Sequence, residues 1–143
     1  MEQELRRLEL PAKISSLPEI TRFVREGAQA AALAELQHGH LELVLEEILV
    51  NVMRHAYPDG TRGHVEVGYA VEGPGKLFVQ VSDAGRAFDP LAKDPAELPK
   101  SIADCRLGGL GIFLVKEIAQ SLSYRRVGNR NILAFRLNPD PLP

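Results

Sequence analysis

Three groups of residues have types and spacings suited to chemistry. Glu47, Asn51 and His55 recur every fourth position with Arg54 beside them, so on a helix they stack along one stripe. Asp83-Ala84-Gly85 follows the apolar-polar run Leu77–Ser82 and sets a carboxylate at the end of a strand, next to a residue without a side chain. Gly108, Gly109 and Gly111, with Leu110 between them, stand before a helical pattern. Free N–H groups and the positive dipole end at such a helix start favour phosphate oxygens. Together the three describe a place to hold a nucleotide.

The elements that must position them follow from periodicity. Leu8, Leu10 and Ala12 alternate with polar neighbours and predict an edge strand that tolerates Pro11. Ser16-Leu17-Pro18-Glu19 has the form of a capping box, and Leu17, Ile20, Val24 and Ala28 predict a helix running to about Leu36. Gln37–Gly39 break the pattern. A second helix is expected over about His40–Ala56, with Leu41, Val44, Leu45, Ile48 and Val52 on its apolar face and Pro58-Asp59-Gly60 closing it. Val65, Val67, Tyr69 and Val71 alternate with His64, Glu66, Gly68 and Ala70, and pair through the turn Glu72–Gly75 with Leu77–Ser82 as a hairpin.

From Ala84 to Leu107 no period is visible, and Pro90, Pro95 and Pro99 fall within the stretch. Aperiodic segments longer than about 12–15 residues in a compact domain are usually functional, often a lid. A helix over Gly109–Ser121 follows, with Leu110, Phe113, Leu114, Ile118 and Leu122 inward. Strands at about Ser123–Val127 and Ile132–Leu137 then flank the turn Gly128–Arg130.

Composition narrows the classes. A chain of 143 residues is expected to be one domain, residues 1–143, with 45% apolar and 25% charged residues. The net charge of −2 argues against bulk nucleic-acid binding, so a protein or small-molecule partner is expected. The single cysteine, Cys105, cannot form an internal disulfide, and no apolar run reaches membrane-spanning length. A cytoplasmic protein without membrane contact is the expectation. Neither a Walker A nor a GxGxxG motif is present, and His38 and His40 complete no metal cluster.

The order helix, strand, strand, lid, glycine turn, helix, strand, strand resembles the ATP-binding domain of the GHKL superfamily, shared by gyrases and histidine kinases. Glu47-Ile48-Leu49-Val50-Asn51 resembles its N box, Asp83-Ala84-Gly85 its first glycine box and Gly109-Leu110-Gly111 its second. The compact length, with a strand and helix ahead of the N box, is most similar to the anti-sigma-factor serine kinases. The resemblance implies a two-layer α/β sandwich: a mixed, mainly antiparallel sheet with helices on one face. It implies ATP and Mg²⁺ as ligands, with Asn51 on the metal, Glu47 as the catalytic carboxylate, Asp83 and Gly85 at adenine, and Gly108, Gly109, Leu110 and Gly111 around the phosphates. Relatives carry a threonine near the start of the last strand; here Asn131 is the nearest polar residue and the candidate to replace it. Phe88 is a candidate hinge or base-stacking residue or, equally, a core anchor, and Arg86, Lys93, Lys100 and Arg106 are the lid cations among which the sequence selects no phosphate partner.

By the same resemblance the chain is expected to phosphorylate an anti-sigma-factor antagonist of STAS type, to bind a sigma factor, and to form a homodimer through its first strand and helix. The alternative is a nucleotide-gated binding module without phosphoryl transfer.

Overall fold

The computed structural model describes residues 4–57, 63–87, 89 and 120–137. The lid beyond Asp89, Phe88, Cys105, Gly108, Gly109, Leu110, Gly111 and the helix expected to follow them lie outside the described residues. Among the described residues the elements are β1 (Arg6–Pro11), a 3-10 turn (Ile14–Ser16), α1 (Leu17–Ala30), α2 (Glu35–His55), β2 (His64–Gly73), β3 (Lys76–Asp83), β4 (Gln120–Val127) and β5 (Arg130–Leu137). The sheet order is β1-β2-β3-β5-β4, and every described pairing is antiparallel.

The core lies between the helices and one sheet face, as the sequence pattern requires. α1 contributes Ile20, Val24 and Ala28, and α2 contributes Leu41, Val44, Leu45, Ile48 and Leu49. The strands answer with Val65, Val67 and Tyr69 from β2, Leu77, Val79 and Val81 from β3, and Leu133, Phe135 and Leu137 from β5. Burying such side chains contributes about 1.5–3 kcal/mol each. Gly27 is where α1 meets β2: a Cβ there would stand 2.5 Å from the Tyr69 ring, which itself packs against Phe23 at a centroid distance of 5.0 Å.

Four details differ from the sequence pattern, each for a local reason. α1 stops at Ala30 instead of running to Leu36, because Ala32 adopts a left-handed conformation (φ 55°). Ala32 N–H then donates to Gln29 O at 3.0 Å and Leu33 N–H to Ala28 O at 3.1 Å, the pair of bonds that closes a Schellman end. Gln37 does not break a helix; it starts one. Its Oε1 accepts from Ala34 N–H at 2.9 Å at the mouth of α2, and its Nε2 donates to Gly75 O in the β2–β3 turn at 3.3 Å.

The expected Ser16–Glu19 box does not form either. Ser16 makes no side-chain cap bond, and its hydroxyl donates back to Pro11 O at 2.7 Å. Finally, Leu122 sits on β4 and not on a helix. It packs half-buried against the core, after an irregularity between Gln120 and Ser123 where Ser121 takes φ 52°.

Candidate functional site

Two elements build the site. α2 runs to His55 and carries Glu47 and Asn51 on one stripe. β3 ends at Asp83, which pairs across the sheet with Asn131 at the start of β5. Between them is a cleft of about 340 Å³, counting space open to solvent, lined by Ile48, Asn51, Val52, Ala56, Val81, Asp83, Tyr124, Asn131 and Leu133. Its polar lining is one carboxylate, Asp83, two amides, Asn51 and Asn131, and the Tyr124 hydroxyl, among otherwise apolar residues. A larger hollow of about 1110 Å³, lined by Pro11, Ala12, Lys13, Met53, Tyr57, Gly63 and His64, offers no carboxylate or amide side chain among its described lining residues. The chemistry favours the smaller cleft.

Asp83 is only 4% exposed. Its Oδ1 accepts two hydrogen bonds, from Gly85 N–H at 2.9 Å and from Asn131 Nδ2 at 2.9 Å. The first is the local Asx-type bond expected where a strand ends in Asp. The second is a cross-strand bond that the β3–β5 register makes available. Asn131 thus holds Asp83 directly.

Asn51 turns its Nδ2 back to the Glu47 carbonyl at 2.7 Å. A carbonyl only accepts, so the amide orientation is fixed and its oxygen is the atom left to offer a ligand. Glu47, one turn earlier, is half-buried, whereas Glu46 is exposed. Burial pushes the Glu47 carboxyl above its ordinary value, the Glu46 charge adds to the rise, and Arg54 opposes it.

This donor set fits a Mg²⁺ ion: one neutral oxygen with a carboxylate a turn away, leaving most positions for water and phosphate oxygens. Among the described residues no group of three His, Cys, Asp or Glu side chains could hold a metal by itself.

Gly85 meets the C-terminal end of α2. A Cβ there would lie 2.1 Å from Ala56 O and 2.7 Å from Ala56 Cβ. The absent side chain therefore lets the turn close on the C-terminus of α2, where Arg86 N–H donates to Ala56 O at 2.8 Å. Arg86 Nε also donates to His55 O at 2.7 Å. A guanidinium at a helix C-terminus satisfies carbonyls and complements the dipole, so this lid cation is engaged with α2.

Three residues of the site carry no signal in the sequence pattern. Tyr57 accepts from Ala84 N–H at 3.0 Å and donates to His64 O at 2.6 Å, bridging the turn after β3 to the start of β2. Tyr124 donates to Asn131 Oδ1 at 2.6 Å. Arg126 Nη1 donates to Gly85 O at 2.8 Å and to Asn131 Oδ1 at 3.1 Å. Tyr124 and Arg126 lie two apart on an edge strand, and only the β4–β5 register reveals that both reach Asn131.

Comparison with known proteins agrees with this geometry. The family model described as the histidine kinase-like ATPase domain matches residues 10–137. The chain belongs to this histidine kinase-like ATPase family. Within it, similarity extends to the serine-protein kinase RsbW of Listeria monocytogenes, 32% identical over 82 residues, which are 54% of this chain and 52% of that one. The serine/threonine-protein kinase BtrW of Bordetella bronchiseptica is 27% identical over 101 residues, 71% of this chain and 70% of that one. The chain spans about half the length of the first of these relatives.

Among solved structures, the RsbU and RsbW domains of a Mycobacterium tuberculosis protein superpose with a TM-score of 0.62 at 13% identity, over 93% of this chain and 32% of that one. The blue-light activated histidine kinase of Erythrobacter litoralis gives 0.55 at 23% identity, over 86% and 59%. These two share the fold. Among the described residues no helix is long and apolar enough to cross a membrane.

Proposed function

We propose that this member of the histidine kinase-like ATPase family is an ATP- and Mg²⁺-dependent serine/threonine protein kinase that acts as a bacterial anti-sigma factor. It phosphorylates an anti-sigma-factor antagonist of STAS type and binds a sigma factor in the cytoplasm, working as a homodimer. The observation that carries the reading is the single cleft in which Asn51 of α2 faces Asp83 and Asn131 of the sheet, with Glu47 one turn from Asn51 on the same helix. The names of the RsbW and BtrW relatives support serine or threonine as the acceptor.

In this reading Asp83 accepts a hydrogen bond from the adenine amino group and the apolar lining of Ile48, Val52, Val81 and Leu133 covers the base. Gly108, Gly109, Leu110 and Gly111, which lie outside the described residues, are the phosphate-binding residues this reading assigns. Asn51 Oδ1 would hold Mg²⁺, which supplies charge neutralisation of the phosphate chain when bound. Glu47 accepts the proton of the incoming hydroxyl as its oxygen attacks the γ-phosphorus and ADP leaves. Its raised proton affinity makes it a better base than an ordinary surface carboxylate.

The test is transfer of labelled γ-phosphate from ATP to antagonist-type proteins of the same genome, with and without Mg²⁺, by wild type and Glu47→Ala. The reading expects transfer by wild type only, with ATP binding kept in the variant. ATP binding without transfer to any such protein would favour a nucleotide-gated binding module instead.

A further inference from the structure

Asn131 is tied into its surroundings on both sides of its amide. Arg126 can only donate, so the atom it meets at 3.1 Å must be the amide oxygen. Tyr124 donates to the same oxygen at 2.6 Å. The amide nitrogen is thereby turned to Asp83 Oδ1 at 2.9 Å, and its second hydrogen goes to Arg86 O at 2.8 Å. The orientation follows from the donors around it.

The consequence falls on Asp83. Oδ1 receives both Gly85 N–H and Asn131 Nδ2. Among the described residues no sealed side-chain polar atom lacks a hydrogen-bond partner. Oδ2 takes neither of these bonds, and Asp83 is a lining residue of the cleft, so Oδ2 is the oxygen left to meet a ligand. A carboxylate locked in this way presents one acceptor in one direction. An adenine amino group, at C6, supplies a donor there. At the same position guanine supplies a carbonyl oxygen, an acceptor against a carboxylate, and its own amino group lies elsewhere on the ring, at C2.

We infer that Asn131, held by Tyr124 and Arg126, is a positioning residue that fixes Asp83 for a purine with an amino group at C6 and so sets adenine-over-guanine selectivity. The inference rests on the nucleotide reading above and adds to it the device that chooses the base. Without the lock, the carboxylate is free to rotate, to admit water beside it and to tolerate a different purine edge.

The experiment is displacement of a fluorescent ATP analogue by ATP, by GTP and by inorganic tripolyphosphate, with Mg²⁺, on wild type, Asn131→Ala and Tyr124→Phe. Wild type is expected to prefer ATP over GTP by about 100-fold or more, as sites built around a hydrogen bond do. Asn131→Ala is expected to lower that ratio by about tenfold or more, the scale of one hydrogen bond to a charged group. Tyr124→Phe keeps the ring and all the packing, and is expected to lower the ratio by about threefold. Tripolyphosphate affinity, which does not involve the base, should stay at the wild-type level in both variants.

An unchanged ATP/GTP ratio in the variants would overturn the inference while leaving the nucleotide reading intact. If Asn131→Ala does not fold, Tyr124→Phe decides alone. Wild type that binds neither ATP nor GTP would overturn both.

Discussion

Replacing Gly85 by alanine separates two reasons for a glycine at this position. One is room for a base in the cleft, and the other is room for the helix. The structure gives the second a magnitude: the new Cβ would lie 2.1 Å from Ala56 O, 2.6 Å from Ala56 C and 2.7 Å from Ala56 Cβ. Two of these are backbone atoms and cannot swing aside. Overpacking of this kind costs roughly 1–3 kcal/mol. Pushing the turn away also lengthens the 2.8 Å bond from Arg86 N–H to Ala56 O, which adds about 1 kcal/mol. The sum, about 2–4 kcal/mol, is a large share of the roughly 5–15 kcal/mol that holds a domain together. In a chain of this size it lowers Tm by roughly 6–12 °C. The assay is thermal and urea unfolding without any nucleotide. A Gly85→Ala protein with wild-type Tm in the absence of ligand would refute the helix contact as the reason for the glycine.

Other consequences follow from the same geometry. Glu47 binds its proton more tightly in the folded chain than in the unfolded one, so its contribution to stability falls as pH rises from the ordinary carboxylate value, about 4.3, through the raised folded value. Glu47→Gln is therefore expected to raise Tm at pH 7–8, with the gain vanishing at about pH 4 and below, while phosphoryl transfer is lost. A Tm difference independent of pH would contradict this. If wild type carries out the proposed transfer, the acidic limb of its rate is expected above the ordinary carboxylate range, measured as transfer rate against pH.

Ala32→Gly relieves a left-handed alanine (φ 55°) and, net of the extra freedom glycine has in the unfolded chain, is expected to stabilise by about 0.5–1 kcal/mol in urea unfolding. Gly27→Ala puts a Cβ 2.5 Å from the Tyr69 ring and is expected to destabilise by about 1–3 kcal/mol in the same assay.

The apolar side chains were legible in the sequence where a strong period carried them. Leu41, Val44, Leu45 and Ile48 are buried along α2 as their spacing predicts, and Val65, Val67 and Tyr69 along β2. The stop between α1 and α2 was not legible, because the usual sign of a helix end is a glycine at the left-handed position and here it is Ala32. The start of α2 was hidden for a related reason. Its first orphan N–H groups are served by Gln37, a residue without a strong capping signature, instead of by Ser, Thr, Asp or Asn. Ser16 shows the reverse error, since a motif that reads as a cap spends its hydroxyl on Pro11.

At the site, Asp83, Glu47 and Asn51 could be named from type and spacing. Tyr124 and Arg126 could not: the turn at Gly128–Arg130 marks the two closing strands as neighbours, but only their register sets Tyr124 opposite Leu133 and Arg126 opposite Asn131. Gly85 was named for closeness to a base; what the structure shows is its closeness to Ala56.

The central claim is that Asp83 and Asn51 line one ATP-Mg²⁺ site, and calorimetric titration of ATP into wild type and Asp83→Asn, each with and without Mg²⁺, tests it most directly. The account predicts saturable binding by wild type that is tighter with Mg²⁺, and binding by a folded Asp83→Asn weakened about tenfold or more. Equal ATP affinity in the two proteins, or a folded wild type that takes up no ATP, would contradict it.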